Sequence, residues 1–378
     1  MRLRSTAPAK LILSGEHAVV YGQPALSLAL DLPTQCLVDF EYAHQPCFTL
    51  KLSDYSLEKQ LDFNQAWLET QQIEQRFSQF LKNQIPINAV CQTPFDLILL
   101  CLSHFNQFHP LQPGHWQIQI QSQAWRGRGL GSSAAVILSL LRGLFCAHKI
   151  NDDINDDIND SKTPNDNKNL NENNTLRRIS QALECYQHGQ SSGIDPATLL
   201  SKGLIRYQRH QPIVALDSSP QSFWLIDTGE PASSTGESVQ QVKTDYAQHP
   251  TLWHKFADCT EKMQTAWLNQ NNHAIAQTLS ANQQLLEQIG VVPKPVQDFI
   301  ARLKSQTAMV AKVCGAGSVR GDKAGVLLAY HPMSNSPTNP ATTPNTEDQL
   351  KQFCKLAGYH LQQVNTSTKG VQCELLDA

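Results

Sequence analysis

One stretch of the chain has residue types suited to binding a phosphorylated group. Residues 127–137 read Gly-Arg-Gly-Leu-Gly-Ser-Ser-Ala-Ala-Val-Ile, so a glycine cluster runs directly into a hydroxyl pair and an apolar segment. At a helix start the first backbone N–H groups lack partners and attract anions, and glycine lets the main chain approach a polyphosphate closely. Ser132 or Ser133 could cap the helix, and one hydroxyl could reach a phosphate-bound Mg²⁺. No Lys follows at Walker A spacing, and glycine serves tight turns more often than nucleotides, so other residues must decide.

A second set of reactive residues lies close to the start of the sequence. Lys10, Glu16 and His17 stand near one another among apolar neighbours, where charge needs partners. Two readings are open. Lys10 and Glu16 could be exposed residues of an edge strand with His17 in a turn, or all three could serve a buried site. Composition alone favours the first.

A third set places two carboxylates on one helix-and-loop unit. Apolar residues between 176 and 186 recur at helical spacing, so Glu184 and His188 project from another face of that helix. The helix ends into Gly-Gln-Ser-Ser-Gly-Ile-Asp-Pro, which contains Asp195. Taken alone, Glu184 fits a solvated helix face and Asp195 fits a turn beside Gly193 and Pro196.

The elements that must position these residues belong to a mixed α/β chain. Alternation predicts a strand over residues 116–121, and helix formers follow the glycines over 134–145. Further strands are predicted near 203–207, 223–226 and 324–330, and helices over 175–189 and from about 238 to 286. Two polar segments, 151–174 and 331–346, are predicted to be solvated surface loops, the first too rich in Asn and Asp to order itself. The first also lacks the glycine and terminal Glu of a calcium loop.

Bulk properties narrow the class of partner. The chain has 378 residues, enough for two domains, and a net charge of -3, which provides no basic field for nucleic acid or for an anionic membrane. Its 10 cysteines show no C-x-x-C pair or metal-ligand spacing, which fits a reducing cytoplasm. No apolar run is long enough to span a membrane. We therefore expect a cytoplasmic protein with a small-molecule partner.

The three sets together resemble the motifs of mevalonate kinases in the GHMP kinase superfamily. Residues 7–26 resemble the first motif, and Trp-Arg-Gly-Arg-Gly-Leu-Gly-Ser-Ser-Ala-Ala at 125–135 resembles the second, ATP-binding motif. Glu184 precedes His-Gly-Gln-Ser-Ser-Gly-Ile-Asp at the family spacing, and Lys-Val-Cys-Gly-Ala-Gly-Ser at 312–318 resembles the third motif. The likeness covers most of the chain outside the two polar segments and is strongest through residue 200.

This resemblance implies a GHMP kinase-like α+β fold of two domains with the active site in the cleft between them. We assign residues 1–215 to an N-terminal α/β domain with the ATP loop and 216–378 to a C-terminal α+β domain. The implied reaction is ATP-dependent phosphorylation of the 5-hydroxyl of (R)-mevalonate, a step of isoprenoid biosynthesis, with ATP as co-substrate and Mg²⁺ as cofactor.

The resemblance also implies roles for individual residues. Asp195 is the expected catalytic carboxylate and Lys10 its catalytic partner, while Glu16, His17 and Thr235 are expected at the acceptor. Mg²⁺ is expected on Ser133 and Glu184. ATP is expected to contact Arg128, Gly129, Leu130, Gly131, Ser132, Ser133, Gly315, Ala316 and Gly317.

Several positions depart from the family pattern and leave the acceptor open. Cys314 replaces a Thr, Ala232 replaces an Arg, Val136 replaces an aromatic found in some members, and a longer charged loop replaces a glycine run over 318–325. Another acceptor such as phosphomevalonate is therefore an alternative, as is a catalytically silent metabolite-sensing relative. Sugar kinases, homoserine kinases and the related decarboxylases fit less well, because their N-terminal signatures differ. Dimers in the family leave a homodimer open.

Overall fold

The computed structural model describes residues 1–156, 166–216, 221–332 and 346–377. Its strands, in chain order, are β1 (Arg2–Ser14), β2 (Ala25–Tyr42), β3 (Cys47–Leu52), β4 (Leu57–Asp62), β5 (Gly114–Ser122), β6 (Leu204–Tyr207), β7 (Val214–Leu216), β8 (Ser222–Asp227), β9 (Val310–Val313), β10 (Val326–Tyr330), β11 (His360–Asn365) and β12 (Gln372–Asp377). Its helices are α1 (Phe63–Leu81), α2 (Asp96–Phe108), α3 (Ser132–Asp156), α4 (Asp166–His188), α5 (Ile194–Leu200), α6 (Thr235–Tyr246), α7 (Pro250–Leu268), α8 (Asn272–Gln288), α9 (Lys294–Thr307) and α10 (Thr346–Ala357), and a 3-10 helix spans Ala18–Tyr21.

The larger sheet belongs to the half of the molecule that carries the glycine loop and Lys10. Its strand order is β12-β1-β2-β5-β3-β4, and β6 also pairs with β2. Along β5 the side chains of Trp116, Ile118 and Ile120 are buried while their neighbours face outward, as the alternation predicts. Helix α3 packs against β1 and β2, and each large apolar side chain fully buried there contributes about 1.5–3 kcal/mol to folding.

The smaller sheet belongs to the other half of the molecule, which carries residues 312–318. Its four strands run in the antiparallel order β11-β8-β10-β9. Helices α8 and α9 both contact β9, and Phe256, Phe299 and Leu327 belong to one buried cluster there. The predicted strands near 203–207, 223–226 and 324–330 and the predicted helices from 238 to 286 are confirmed.

Strand β1 joins the two halves. It lies in the larger sheet, yet Lys312 of β9 donates a hydrogen bond of 3.1 Å from Nζ to the Ile12 carbonyl oxygen. At its end the Ser14 hydroxyl donates to Asn282 Oδ1 over 2.8 Å. Strand β12 departs from a sequential division, since it pairs with β1 in the larger sheet. The boundary between residues 215 and 216 stays a prediction.

The predicted loop over residues 151–174 is wrong at both ends. Helix α3 continues to Asp156 and α4 begins at Asp166, while residues 157–165 lie outside the described part of the chain. Charge pairing explains the order on the α4 side, because the buried Glu172 carboxylate forms ion pairs with both Arg142 and Lys149 of α3. Asparagine and charge content predicted solvation, but ion pairs between the two helices satisfy Glu172. Most of the second predicted loop, residues 333–345, also lies outside the described residues, and α10 begins at Thr346.

Over the ranges that the structure describes, no helix combines the length and apolarity needed to cross a bilayer.

Candidate active site

A cavity between the two halves collects most of the predicted site residues. The predicted residues that line it are Lys10, Glu16, His17, Gly129, Gly131, Ser132, Ser133, Glu184, Asp195, Thr235, Gly315 and Ala316. Sites at domain interfaces are common because two halves can enclose a ligand that neither could enclose alone. The cavity therefore lies where the sequence predicted the cleft.

The glycine loop packs closely against β1 and against the segment after β9. The Lys10 backbone N–H donates to the Leu130 carbonyl oxygen over 3.0 Å. Gly131 has a φ of 71°, and a Cβ atom there would lie 2.6 Å from Lys10 Cγ. A Cβ on Gly129 would lie 2.6 Å from the Cys314 carbonyl oxygen. Both positions therefore require glycine, which brings the loop backbone next to Lys10.

Lys10 and Asp195 form an ion pair beside this loop. Lys10 Nζ lies 3.1 Å from Asp195 Oδ1, and the lysine side chain is 5% exposed whereas the aspartate side chain is 21% exposed. Asp195 Oδ2 faces Gly131, because a Cβ on that glycine would lie 3.3 Å away. Of the two readings left open by the sequence, the buried site is thus correct for Lys10. Its carboxylate partner stays open to the cavity.

Glu184 is a second carboxyl group in this cavity, and it is almost fully buried. Its Oε2 accepts a 2.8 Å hydrogen bond from the Ser191 hydroxyl. Burial, together with the negative charge of Asp195, raises the pKa of Glu184 to about 8, although Ser191 and Lys10 oppose the rise. Without a bound metal ion, the raised pKa favours the protonated form of this group at neutral pH.

Ser133, Glu184 and His188 line the same cavity. Ser133 Oγ is 3.3 Å from His188 Nε2, and His188 is one turn beyond Glu184 on α4. Burial lowers the pKa of His188. Among the described residues there is no group of three or more His, Cys, Asp or Glu arranged to hold a metal. Ser133 and Glu184 nevertheless supply two oxygen donors to one cavity, which fits a hard cation shared with phosphates.

His17 presents a buried acceptor nitrogen. Its Nε2 lies 3.0 Å from the Ala316 carbonyl oxygen, which can only accept, so Nε2 carries the proton. Nδ1 is buried and has no hydrogen-bond partner among the described residues. Burial lowers the pKa of His17 to about 4 against the opposing effect of the Ala316 contact. The ring is therefore neutral, and Nδ1 can accept a hydrogen bond from a hydroxyl but cannot bind a carboxylate.

The Glu16 carboxylate is bonded to two other side chains of the protein. It forms a buried ion pair with Lys312 and accepts a hydrogen bond of 3.1 Å from Asn282 Nδ2. The resemblance placed Glu16 at the acceptor, and the residue does line the cavity. Its bonds nevertheless make it part of the connection between β1, α8 and β9.

Three predicted residues lie away from the cavity lining. The Arg128 guanidinium turns toward β8, where Nε donates to Asp227 Oδ1 over 2.8 Å. The Leu130 side chain is buried in the core, and Gly317 lies in an adjoining depression with Thr235. Leu130 can therefore contact a nucleotide only through its backbone, whereas Arg128 lines the adjoining depression instead of the main cavity.

Sequence reasoning missed a second pocket that opens beside the glycine loop. It shares Gly127, Ser132 and Ser133 with the cavity and is otherwise lined mostly by apolar residues of four elements, including Leu52, Leu97, Ile120 and Val136. Arg126 stacks over Tyr55 at its edge, with the guanidinium carbon 3.3 Å from the ring centroid. No linear motif marks these residues, because the fold alone brings them together. Ser191 and Ser192 of the main cavity lie inside the motif that contains Asp195 and could have been found there, whereas Arg209 lies outside every motif.

The chain is similar in sequence to one known family and to known kinases. Residues 96–203 match the family model of the GHMP kinases N terminal domain. The chain is 23% identical over 366 residues to a mevalonate kinase of Thermococcus onnurineus, covering 91% of this chain and 93% of that protein.

Solved structures share the whole fold. The crystal structure of L. major mevalonate kinase in complex with R-mevalonate matches with a TM-score of 0.66 and 18% identity, covering 97% of this chain and 96% of that one. A Lactococcus lactis galactokinase complexed with galactose matches with a TM-score of 0.68 and 13% identity, covering 98% and 95%. These likenesses confirm the predicted two-domain, GHMP kinase-like fold, and they show that the fold by itself does not select the acceptor.

Proposed function

We propose that this chain, which carries a GHMP kinase N-terminal domain within a mevalonate kinase-like fold, transfers the γ-phosphoryl group of ATP to the 5-hydroxyl of (R)-mevalonate. The observation that supports it most is the Lys10–Asp195 ion pair, held beside a glycine loop inside a cavity between the two halves. The mevalonate kinase relatives supply the choice of acceptor.

The nucleotide fits along the glycine loop. Backbone N–H groups from Gly129 to Ser133 and the start of α3 would bind the phosphates, since helix starts favour anions. The apolar pocket beside Gly127 and Ser133 would hold the base, with the Arg126–Tyr55 stack at its edge. In this arrangement the γ-phosphate end would lie near Lys10.

Magnesium fits the oxygen donors of Ser133 and Glu184. When bound, it would neutralise charge on the β- and γ-phosphates. Glu184 would release its proton as the cation takes over the role of counter-charge.

Asp195 and Lys10 suit phosphoryl transfer to an alcohol. In the proposed reaction the acceptor oxygen forms a bond to the γ-phosphorus while the bond from that phosphorus to the β-bridging oxygen breaks, and ADP leaves. The hydroxyl proton passes to the Asp195 carboxylate, which is open to the cavity. The Lys10 ammonium lies within reach of both the carboxylate and the charge that develops on the transferring group.

His17 suits the recognition of a second hydroxyl. Its unpartnered Nδ1 can accept a hydrogen bond from an acceptor that carries one hydroxyl at the reaction centre and another further along. Mevalonate is such a diol. Thr235, the first residue of α6, adds a hydroxyl from the opposite half of the cavity.

The proposal is tested by Mg²⁺-dependent ADP release from purified protein against mevalonate, 5-phosphomevalonate, galactose and homoserine, with product masses determined. We expect turnover on mevalonate and a product heavier by one phosphoryl group. Turnover on 5-phosphomevalonate alone would move the acceptor and keep the mechanism. ATP binding without turnover on any acceptor would favour the metabolite-sensing alternative. A cytoplasmic location and a homodimer stay predictions, the second open to sedimentation measurements.

A further inference from the structure

Arg128 lies in the middle of the glycine loop and connects it to the smaller sheet. Its guanidinium Nε donates to Asp227 Oδ1 over 2.8 Å at the end of β8. Its backbone carbonyl oxygen accepts from the Val326 N–H over 3.3 Å at the start of β10. Asp227 and Val326 face each other in the ladder between these two strands. One residue thus attaches the loop, which follows β5 of the larger sheet, to two neighbouring strands of the other half.

The ion pair between Arg128 and Asp227 is largely buried and well oriented. The Arg128 side chain is 18% exposed and that of Asp227 is 10% exposed. Asp227 Oδ1 also accepts from the Gly229 N–H over 2.8 Å, which fixes the direction of the carboxylate. Glu230 Oε2 lies 3.7 Å from Arg128 Nη1, but this second carboxylate is largely exposed, so it contributes little. The directional bond to Asp227 is therefore the contact that can hold the Arg128 side chain in one place.

The loop needs such an attachment because its own backbone is permissive. Gly127, Gly129 and Gly131 have φ values of 65°, 83° and 71°, and glycine loses more conformational freedom than any other residue when its backbone is fixed. The N–H groups of residues 129–133 can bind phosphates together only while the loop keeps one conformation. If the loop also samples other conformations, its affinity for phosphates falls with the fraction of molecules in the competent one.

We infer that Arg128 is a positioning residue, which holds the glycine loop in its phosphate-binding conformation by pairing with Asp227 and does not itself contact the phosphates. This inference rests on the proposed function, because it assumes that the loop binds ATP. Arg128 lines the depression beside the cavity instead of the cavity itself. A carboxylate of the smaller-sheet half thereby sets the affinity of a nucleotide loop that belongs to the larger-sheet half.

The pairing gives the ion pair a role that stability alone does not explain. A buried ion pair often adds no more stability than apolar side chains of similar volume would add. Its charge-assisted hydrogen bond is directional, however, so it favours one placement of the loop over its alternatives. Removing either member should then weaken ATP binding to a similar extent, although Asp227 cannot itself attract a phosphate.

The test compares Arg128→Gln, Asp227→Ala and the double variant, with Arg128→Lys as the conservative change. Asp227→Asn replaces Asp227→Ala if that protein does not fold. Arg206→Gln is the matched control, because Arg206 lies 3.9 Å from Glu261 and is absent from the cavity lining. For each protein we would measure the Kd of MgATP by calorimetry, KM for ATP and mevalonate, kcat, and amide hydrogen exchange over residues 127–133. Thermal unfolding checks that each variant is folded.

We expect Arg128→Gln and Asp227→Ala each to raise the Kd and KM of MgATP about 10- to 100-fold, the range for losing a charge-assisted hydrogen bond that maintains the competent loop. The double variant should lose no more than the larger single loss, because both changes break one interaction. The fall in kcat at saturating ATP should be far smaller, since bound nucleotide restores the competent loop. Without nucleotide, exchange over residues 127–133 should be faster in both variants. Arg128→Lys should recover part of the loss, and Arg206→Gln should match the wild type.

Three results would overturn the inference and leave the proposed function standing. The first is a folded Arg128→Gln protein with wild-type Kd for MgATP. The second is a loss in Arg128→Gln that Asp227→Ala does not share, which would show that Arg128 binds the phosphates directly. The third is a double variant in which the two losses add. A wild-type protein that does not bind MgATP overturns both the inference and the proposed function.

Discussion

The buried carboxyl of Glu184 should make the stability of the protein depend on pH in a direction opposite to that of a typical surface carboxylate. Its pKa is about 8 in the folded protein and 4.5 in a solvated chain, because burial and Asp195 disfavour the charged form. Between these two values the folded state binds more protons than the unfolded state, so the free energy of unfolding falls as pH rises. The full difference corresponds to about 5 kcal/mol.

Glu184→Gln should remove this dependence. Glutamine keeps the shape and the acceptor oxygen for Ser191 but cannot ionise. In the absence of Mg²⁺ and nucleotide, we expect the variant to gain about 3–4 kcal/mol of stability over the wild type as pH rises from about 5 to 8. Urea unfolding at several pH values measures the difference directly. Glu261→Gln, at an exposed carboxyl, serves as the control and should follow the wild-type curve.

The same carboxyl should couple ligand binding to proton release. At pH 7 a group with a pKa near 8 is about nine-tenths protonated, so binding of MgATP should release close to one proton per chain. Calorimetry in buffers of different ionisation enthalpy counts those protons, and Glu184→Gln should release fewer. Wild-type and Glu184→Gln stability curves that run parallel from pH 5 to 8 would refute the argument for a buried, protonated Glu184.

Three further changes test the rest of the site. Asp195→Asn should lower kcat at least about 1,000-fold while leaving the Kd of ATP within a few-fold, since the carboxylate acts on the acceptor; comparable turnover would remove it from the mechanism. Gly131→Ala should abolish activity because its Cβ would press on Lys10. Gly22→Ala, at a similar φ of 76° with no atom within 4 Å, should cost only about 1 kcal/mol of stability. Equal effects of the two variants in kinetics and unfolding would show that φ alone matters. Lys312→Met should destabilise the protein by about 3–5 kcal/mol because it leaves Glu16 without its buried partner. Adding Glu16→Gln should restore part of the lost stability. If urea unfolding shows no recovery in the double variant, the pairing is contradicted.

Part of the site could be predicted from the sequence because its residues stand in short, linear motifs. The glycine loop, Lys10 and Asp195 each lie in a run of residues whose order fixes the local backbone, and the fold brings these runs together. Within the larger sheet the period of two along β5 was sufficient to predict its buried face.

The remainder depends on contacts between distant segments. The ion pair of Glu16 with Lys312 could not be read from either motif alone, since the two residues are 296 positions apart. The apolar pocket beside Tyr55 draws one or two residues from each of several elements, so no window of sequence contains it. The prediction over 151–174 failed because composition ignores ion pairs such as Glu172 with Arg142.

The pairing of β12 with β1 constrains how the molecule can be assembled during synthesis. Residues 2–6 acquire their partners at 372–377 only after all the residues between them have been translated. Until then one side of β1, the strand that carries Lys10, is an open edge able to pair with other chains. Contacts of such large sequence separation also form slowly. The nascent protein therefore exposes an aggregation-prone edge until β12 has been made, and β12 then protects this edge of the larger sheet.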